Sequence, residues 1–102
     1  ELNCTSICGI NQYGISDLKI LKKLDAYDNK KIYNINHLSN TLIELNCCEN
    51  CGINQDGIQS LNVLNVLKAS NNDKIYNVNH LANTLIELNC SGKCTINQHG
   101  IN

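Results

Sequence analysis

The chain has 102 residues, of which 42% are hydrophobic, so it has room for one domain with a packed core. Its formal net charge is −1 and no cluster of Lys or Arg stands out, which excludes the basic surface expected of a nucleic-acid-binding protein. No apolar run approaches the roughly 18 residues that a membrane span needs, so we expect no insertion into a membrane. Asn, Ile and Lys are abundant, and we interpret this as the mark of an AT-rich gene more than as a physical demand.

The sequence repeats itself with a period of 43 residues. The tetrapeptide Glu-Leu-Asn-Cys begins at residues 1, 44 and 87, and residues 1–43 and 44–86 are identical at 27 of 43 positions. Shorter units begin at Leu21, Leu42, Leu64 and Leu85. Self-similarity of this kind predicts a single repeat domain. Its five units are residues 1–20, 21–41, 42–63, 64–84 and 85–102, numbered 1 to 5 below.

The apolar residues have the same spacing in each full unit. Unit 2 reads Leu21-x-x-Leu24-x-Ala26-x-x-Asn29-x-x-Ile32, and the same pattern starts at Leu42 and at Leu64. Around the second Leu, apolar and polar residues alternate with a period of two, which predicts a strand with one buried face. Neighbouring units would then stack as a parallel sheet, with strands about 4.8 Å apart.

This spacing resembles the leucine-rich repeat pattern L-x-x-L-x-L-x-x-N-x-x-I, with Cys or Ala in place of the third Leu. The resemblance covers the whole chain, and the Asn- and Ile-rich style is similar to repeats of large DNA viruses of amoebae and of protists. It implies a curved solenoid of the α/β type, with a mainly parallel sheet on the concave side, irregular or 3₁₀ outer arcs and little α-helix. We expect a piece of a longer repeat protein, soluble and intracellular or virion-associated rather than secreted.

The corner after each strand is predicted to hold a buried ladder of amides from Asn29, Asn50 and Asn72. Such a ladder would satisfy backbone groups that face the interior where the chain turns. Beyond the corner, we expect the arcs to close on a set of apolar residues, namely Ile32, Ile53, Ile75, Leu38, Leu61 and Leu81. Three glycines predict tight turns on the arcs of the odd units: Gly14, Gly57 and Gly100.

The seven cysteines form a Cys-x3-Cys pair in every odd unit, with one extra residue, Cys48. The first member of each pair occupies a slot that holds Ala26 and Ala69 in the even units, which favours a role as a small buried hydrophobe. Disulfides within a unit remain open. A zinc site is disfavoured because equivalent columns lie roughly 10 Å apart. Redox catalysis by Cys48 and Cys51, a C-x-x-C pair, is a distant third function, since no helix start is predicted beside it.

No set of nucleophile, base and orienting residue is recognisable, so we expect neither an enzyme nor a cofactor or metal site. His37 and His80 occupy equivalent places and are interpreted as hydrogen-bonded arc residues. Tyr33 and Tyr76 are expected on the outer face.

The resemblance to leucine-rich repeat proteins implies that the exposed, concave side of the strands binds another protein. The candidate binding residues are Lys23, Asp25, Tyr27, Glu44, Asn46, Glu49, Val66, Lys68, Ser70, Glu87 and Asn89. Opposite charges are expected to pair across strands, Lys23 with Glu44 and Lys68 with Glu87. The leading hypothesis is a protein-interaction module. The alternative is a structural element that assembles with itself, through stacked ends or through cysteines.

Overall fold

The computed structural model describes the backbone of residues 2–3 and residues 10–96 in full. Five short strands form one parallel sheet in chain order: β1 (Leu2–Asn3), β2 (Lys23–Asp25), β3 (Glu44–Asn46), β4 (Val66–Lys68) and β5 (Glu87–Asn89). The connecting arcs hold one short helix, α1 (Gln12–Ser16), and three 3₁₀ turns, Asn36–Leu38, Asp56–Ile58 and Asn79–Leu81. Within the described residues, the expectation of a mainly parallel sheet with 3₁₀ arcs and little α-helix is confirmed.

The core runs beneath the sheet from one unit to the next. The central residues of β2, β3 and β4, which are Leu24, Leu45 and Leu67, expose at most 2% of their surface. All the arc residues expected to close the core are also buried, namely Ile32, Ile53, Ile75, Leu38, Leu61 and Leu81. Units 2, 3 and 4 therefore each contribute one strand leucine and their arc residues to the same apolar layer, which burial stabilises.

Asparagines begin the arcs by capping backbone N–H groups. Asn11 Oδ1 accepts a hydrogen bond of 3.1 Å from Gly14 N at the start of α1, and Asn54 Oδ1 accepts one of 2.9 Å from Gly57 N. On the arc of unit 2, Asn34 Oδ1 accepts from Asn36 N, two residues further along the chain, at 3.0 Å. A short side-chain acceptor at the start of a turn satisfies an N–H that would otherwise lack an intrahelical partner. Part of the asparagine content is therefore a physical requirement, contrary to our interpretation from composition.

The corner after each strand does not hold three buried asparagines. Asn29 and Asn72 are 3% and 0% exposed, but Asn50 is exposed, so the prediction of a ladder through Asn50 is wrong. In unit 3 the inward place is taken by Cys51, which is 0% exposed. In the even units, the inward-facing Asn29 and Asn72 come three positions after the buried alanines Ala26 and Ala69. In unit 3, Cys51 comes four positions after Cys47, so the turn at this corner is one residue longer.

The buried Asn72 joins unit 4 to unit 3. Its Nδ2 donates to the carbonyl oxygens of Cys47 and Ile53 at 2.9 and 3.1 Å, while its Oδ1 accepts from Lys74 N at 2.9 Å. Two carbonyls of the preceding unit and one N–H of its own therefore depend on a single side chain. Asn29 makes the equivalent bond to Lys31 N at 2.9 Å.

Glutamine and histidine side chains make further bonds between the same two units. Gln55 Oε1 accepts from the backbone N–H groups of Tyr76 and Asn77 at 3.0 Å each, and its Nε2 donates to Asn77 O at 2.7 Å. His80 reaches back to Ile58 O at 3.1 Å, and because a carbonyl only accepts, its Nε2 carries the proton.

Units 1 and 2 are joined by the same pair of residue types. Gln12 binds the backbone of Tyr33 and Asn34, and His37 Nε2 lies 2.9 Å from Ile15 O. An odd unit and the even unit that follows it thus form one clamped pair. The Gln and His bonds recur with the period of 43 residues. Side-chain bonds also join unit 2 to unit 3, where Asn36 Nδ2 donates to Asp56 O and Asn36 Oδ1 accepts from Ser60 N, each at 2.8 Å.

The arc glycines serve close packing rather than unusual backbone angles. Gly14 lies in α1 and Gly57 in a 3₁₀ turn, and neither has a positive φ. A Cβ at Gly57 would overlap the carbonyl oxygen of Tyr33 in the preceding unit. Gly57 is therefore needed because units 2 and 3 approach each other closely here. Gly100 lies outside the described residues.

Replacing Asn72 with Ala is expected to lower the free energy of unfolding by about 1–3 kcal/mol, because Cys47 O and Ile53 O lose their buried donor. Asn50→Ala is the matched control and should change it by no more than about 0.5 kcal/mol, since Asn50 is exposed. Urea unfolding followed by circular dichroism measures both values. An equal loss of unfolding free energy in the two variants would contradict the assignment of Asn72 as buried and Asn50 as exposed.

Candidate interaction face

The exposed side of the sheet, called the strand face below, carries the side chains on either side of each buried strand leucine. The strand register aligns them in two columns as the sequence predicts: Lys23, Glu44, Val66 and Glu87 in one, and Asp25, Asn46, Lys68 and Asn89 in the other. Beyond the strand ends, a third column contains Tyr27, Cys48, Ser70 and Ser91. All twelve side chains are exposed or half-buried.

The charges on the strand face are mixed. Lys23 Nζ lies 3.8 Å from Glu44 Oε1, and both side chains are about half exposed, so the pair contributes roughly 0–1 kcal/mol. The expected pair of Lys68 with Glu87 does not form, because the register places a neutral residue opposite each of them. Among the described residues, Lys68 is thus an exposed cation of the strand face without an ion pair, available to an acidic group of a partner.

Two residues of the second column are partly engaged by the backbone. Asp25 Oδ1 accepts from Tyr27 N and Asn46 Oδ1 accepts from Cys48 N, each at 3.1 Å. These bonds orient the side chains over the strand ends. The remaining lone pairs of both groups face solvent, so a partner would meet acceptors held in fixed positions.

A shallow depression lies across the middle of the strand face. Six of the face residues line it, above the backbone of Leu24 and Leu45: Lys23, Asp25, Glu44, Asn46, Val66 and Lys68. It is open to solvent and polar, unlike the enclosed and mostly apolar pockets that hold small molecules.

The corner that borders the strand face has a left-handed backbone in each described unit. Asp28, Glu49, Asn71 and Gly92 have φ of 57°, 65°, 61° and 60°. Asp, Asn and Gly tolerate this region better than Glu does. Glu49 is held there by a 2.8 Å hydrogen bond from Asn71 Nδ2 to its Oε2. This candidate residue therefore has a structural contact that its place on the strand face did not predict.

The described cysteines fall into three environments. Cys90 and Cys94 form a disulfide within unit 5, with their Cα atoms 5.3 Å apart. Cys47 and Cys51 are buried free thiols, and Cys48 is a half-buried one. Of the three roles left open by the sequence, a disulfide within a unit and a buried hydrophobe are thus both found. Cys4 and Cys8 lie outside the described residues.

The environment of Cys48 and Cys51 does not activate either thiol. Burial raises the pKa of both, that of Cys51 to about 11, and it raises the pKa of Cys47 well above its usual value. A catalytic thiol needs the opposite shift, because the thiolate is the nucleophile. Neither cysteine lies at the start of a described helix.

Residues 10–96 contain no group of three or more His, Cys, Asp or Glu side chains arranged to hold a metal ion. None of the described helices has the length and apolar character to cross a membrane.

The sequence interpretation missed two residues that clamp the units together, Gln12 and Gln55, and it also missed the inward-facing Cys51. A signal was present, because Gln recurs at residues 12, 55 and 98 with the period of 43 residues. His37 and His80 were expected to be hydrogen-bonded arc residues, and both are bonded to backbone carbonyls. Tyr33 and Tyr76 are 55% and 57% exposed on the outer arcs.

In the folded chain, iodoacetamide is expected to alkylate Cys48 first and Cys47 and Cys51 much more slowly. Cys47 and Cys51 are buried, and the raised pKa of Cys51 means that its thiolate fraction keeps growing as the pH approaches 11. Mass spectrometry of peptides quenched at intervals measures each rate. The urea-unfolded chain is the control and should react at similar rates at all three. Labelling of folded Cys51 as fast as Cys48 would show that the assigned burial is wrong.

No protein-family model matches this chain, and no curated protein or solved structure is similar to it. What the chain can do must therefore follow from its own repeats and from the groups it exposes.

Proposed function

We propose that this chain is a leucine-rich repeat solenoid that binds another protein through its strand face. The observation that carries the proposal is the alignment of exposed polar side chains in columns across consecutive parallel strands. A surface of this kind offers donors, acceptors and charges at the regular spacing of the strands, about 4.8 Å. Repeat scaffolds use such extended surfaces for binding.

The clamps between units support this function because they hold the strand face rigid. Gln55, Asn72 and His80 fix unit 4 on unit 3 through backbone groups rather than through strand-face side chains. The face residues therefore remain free to vary without loss of the fold. Binding on a rigid surface also loses less conformational entropy than binding on a mobile loop.

The chemistry of the face indicates a polar partner surface. Lys68 offers a cation, Glu87 is an exposed acid, and Asp25 and Asn46 present oriented acceptors. Tyr27, 42% exposed, is the one aromatic side chain in the three columns. Aromatic anchors dominate strong interfaces, so we expect binding to depend mainly on hydrogen bonds and charge.

To identify the partner, a photo-cross-linking amino acid is placed at Lys68 on the strand face or at Lys31 on an exposed arc. The partner captured at Lys68 but not at Lys31 is then purified. Lys68→Glu is expected to weaken its binding roughly tenfold in calorimetry, because a cation without an ion pair becomes an acid.

Lys31→Glu is the matched control, since it makes the same change of charge on an exposed residue away from the strand face. Its affinity should equal that of the unchanged protein. Equal loss in both variants would indicate a long-range charge effect, and no loss in either would exclude the strand face as the binding surface.

Self-association is the second candidate function, and the last described unit favours it. Leu85 and Leu88 are half-buried and Ile86 is 81% exposed, whereas Leu64 and Leu67 at the equivalent places in unit 4 have no exposed surface. Apolar surface at the end of a repeat array is a site where a second copy can stack. Half-buried Cys48 provides a second route, through a disulfide between chains.

Light scattering with and without reductant separates the two functions. If the chain is an interaction module, we expect the mass of a monomer under both conditions. Large species that disappear with reductant would indicate linkage through cysteines. Large species that persist would indicate stacking through apolar unit ends, and either result would replace the interaction module with an assembly function.

A further inference from the structure

The disulfide of unit 5 has a counterpart in unit 3 that is present as two free thiols. Cys90 and Cys94 are linked across the corner with a Cα separation of 5.3 Å, inside the range of 4.4–6.8 Å that disulfides usually span. Cys47 and Cys51 precede them by one period of 43 residues and have the same separation in sequence. Both thiols are fully buried inside unit 3.

The backbone of the two corners is equivalent. Leu45 of β3 and Leu88 of β5 each pair with Leu67 of β4, so the two strands enter their corners in the same register. Between the cysteines of each pair lies one residue in the left-handed region, Glu49 with φ of 65° and Gly92 with φ of 60°. The chain path that brings Cys90 and Cys94 into bonding distance is therefore repeated at Cys47 and Cys51.

We propose that Cys47 and Cys51 form a second disulfide within a unit, and that this buried pair exchanges with low-molecular-weight disulfides. One thiolate of the pair attacks a sulfur of the external disulfide, which forms a mixed disulfide and releases one thiol. The second thiolate of the pair then attacks the protein sulfur of that mixed disulfide and releases the other thiol. Two protein thiols are oxidised, and one external disulfide is reduced to two thiols.

Cys51 is the attacking residue of the first step. Burial raises the pKa of Cys51 to about 11, which slows its attack. Lys74, whose Nζ donates to Cys51 O at 3.4 Å, offsets part of this effect because its positive charge favours the thiolate. Cys47 is the resolving residue. Its own environment disfavours ionisation more strongly, because burial and the two neighbouring thiols all raise its pKa.

Unit 4 controls access to the pair. The side chain of Asn72 covers the corner of unit 3, because its Nδ2 donates to the carbonyl oxygen of Cys47 at 2.9 Å. An external disulfide reaches the thiols only when the corner of unit 4 opens, or before unit 4 has packed. Exchange in the folded chain is therefore slow, and Asn72→Ala should accelerate it at least several-fold.

The test uses the full chain with Cys48→Ser, which removes the competing thiol of unit 3. The reduced, unfolded chain is refolded in a series of increasingly oxidising glutathione buffers until the Cys90–Cys94 disulfide has formed. The remaining free thiols are then alkylated in urea. Peptide mass spectrometry is expected to find Cys47 and Cys51 unalkylated and linked to each other. Adding reductant should restore alkylation at both.

Cys47→Ala in the same background is the matched control, because Ala26 and Ala69 occupy this slot in the even units. It should leave Cys51 fully alkylated. Alkylation of both Cys47 and Cys51 in a sample with Cys90–Cys94 closed would overturn the proposal. A disulfide between Cys48 and Cys51 in the chain that retains Cys48 would also overturn the proposal. The same holds if the Cys90–Cys94 disulfide fails to form in every glutathione buffer.

Discussion

Backbone N–H and C=O groups that are buried where two units meet must be hydrogen-bonded. The rest of this structure depends on the groups that provide these hydrogen bonds. The strands are only two or three residues long, but backbone hydrogen bonds between units continue beyond them, for example from Ala26 N to Asn46 O at 2.8 Å and from Ile35 N to Gly57 O at 3.0 Å. Side-chain amides satisfy further groups at the corner and on the arcs, where Asn72 binds two carbonyls and Gln55 binds three backbone groups of the next unit. An unpaired buried carbonyl or N–H costs about 1–3 kcal/mol, so each of these side chains contributes to holding two units together.

The Gln and His clamps recur once in every pair of units, whereas Asn36 bonds unit 2 to the unit that follows it. Gln55 reaches forward from unit 3, whereas Asn72 and His80 reach back from unit 4. The odd corner has a thiol in the inward place because its turn is one residue longer and the even unit already supplies the amide. Asn72 of unit 4 therefore binds the carbonyl groups of unit 3, and the inward place of unit 3 is filled by the buried thiol of Cys51.

The division between clamps and exposed columns also supports the proposed function. Most of the groups that stabilise the stack lie at the corner and on the arcs, while the strand face carries side chains with few contacts to the fold. Glu49 is one exception, because its carboxylate accepts from Asn71 and its backbone is left-handed. Asp25 and Asn46 each accept from one backbone N–H, and Ser70 accepts from Ser91. A surface whose residues are largely independent of stability can change its partner by substitution, which suits a binding protein.

The sequence by itself determined the repeat, the parallel register and the apolar core, because a period of two in the strands and a constant spacing of leucines leave one consistent arrangement. It also placed the strand-face residues in their columns. It failed where the outcome depended on a neighbouring unit. Asn50 has the expected spacing but points to solvent, Gly57 is required by a carbonyl of the unit before it, and Cys90 and Cys94 are joined although their counterparts Cys47 and Cys51 are not. Only the tertiary structure decided these points, since each depends on which groups the folded chain brings within bonding or packing distance of one another.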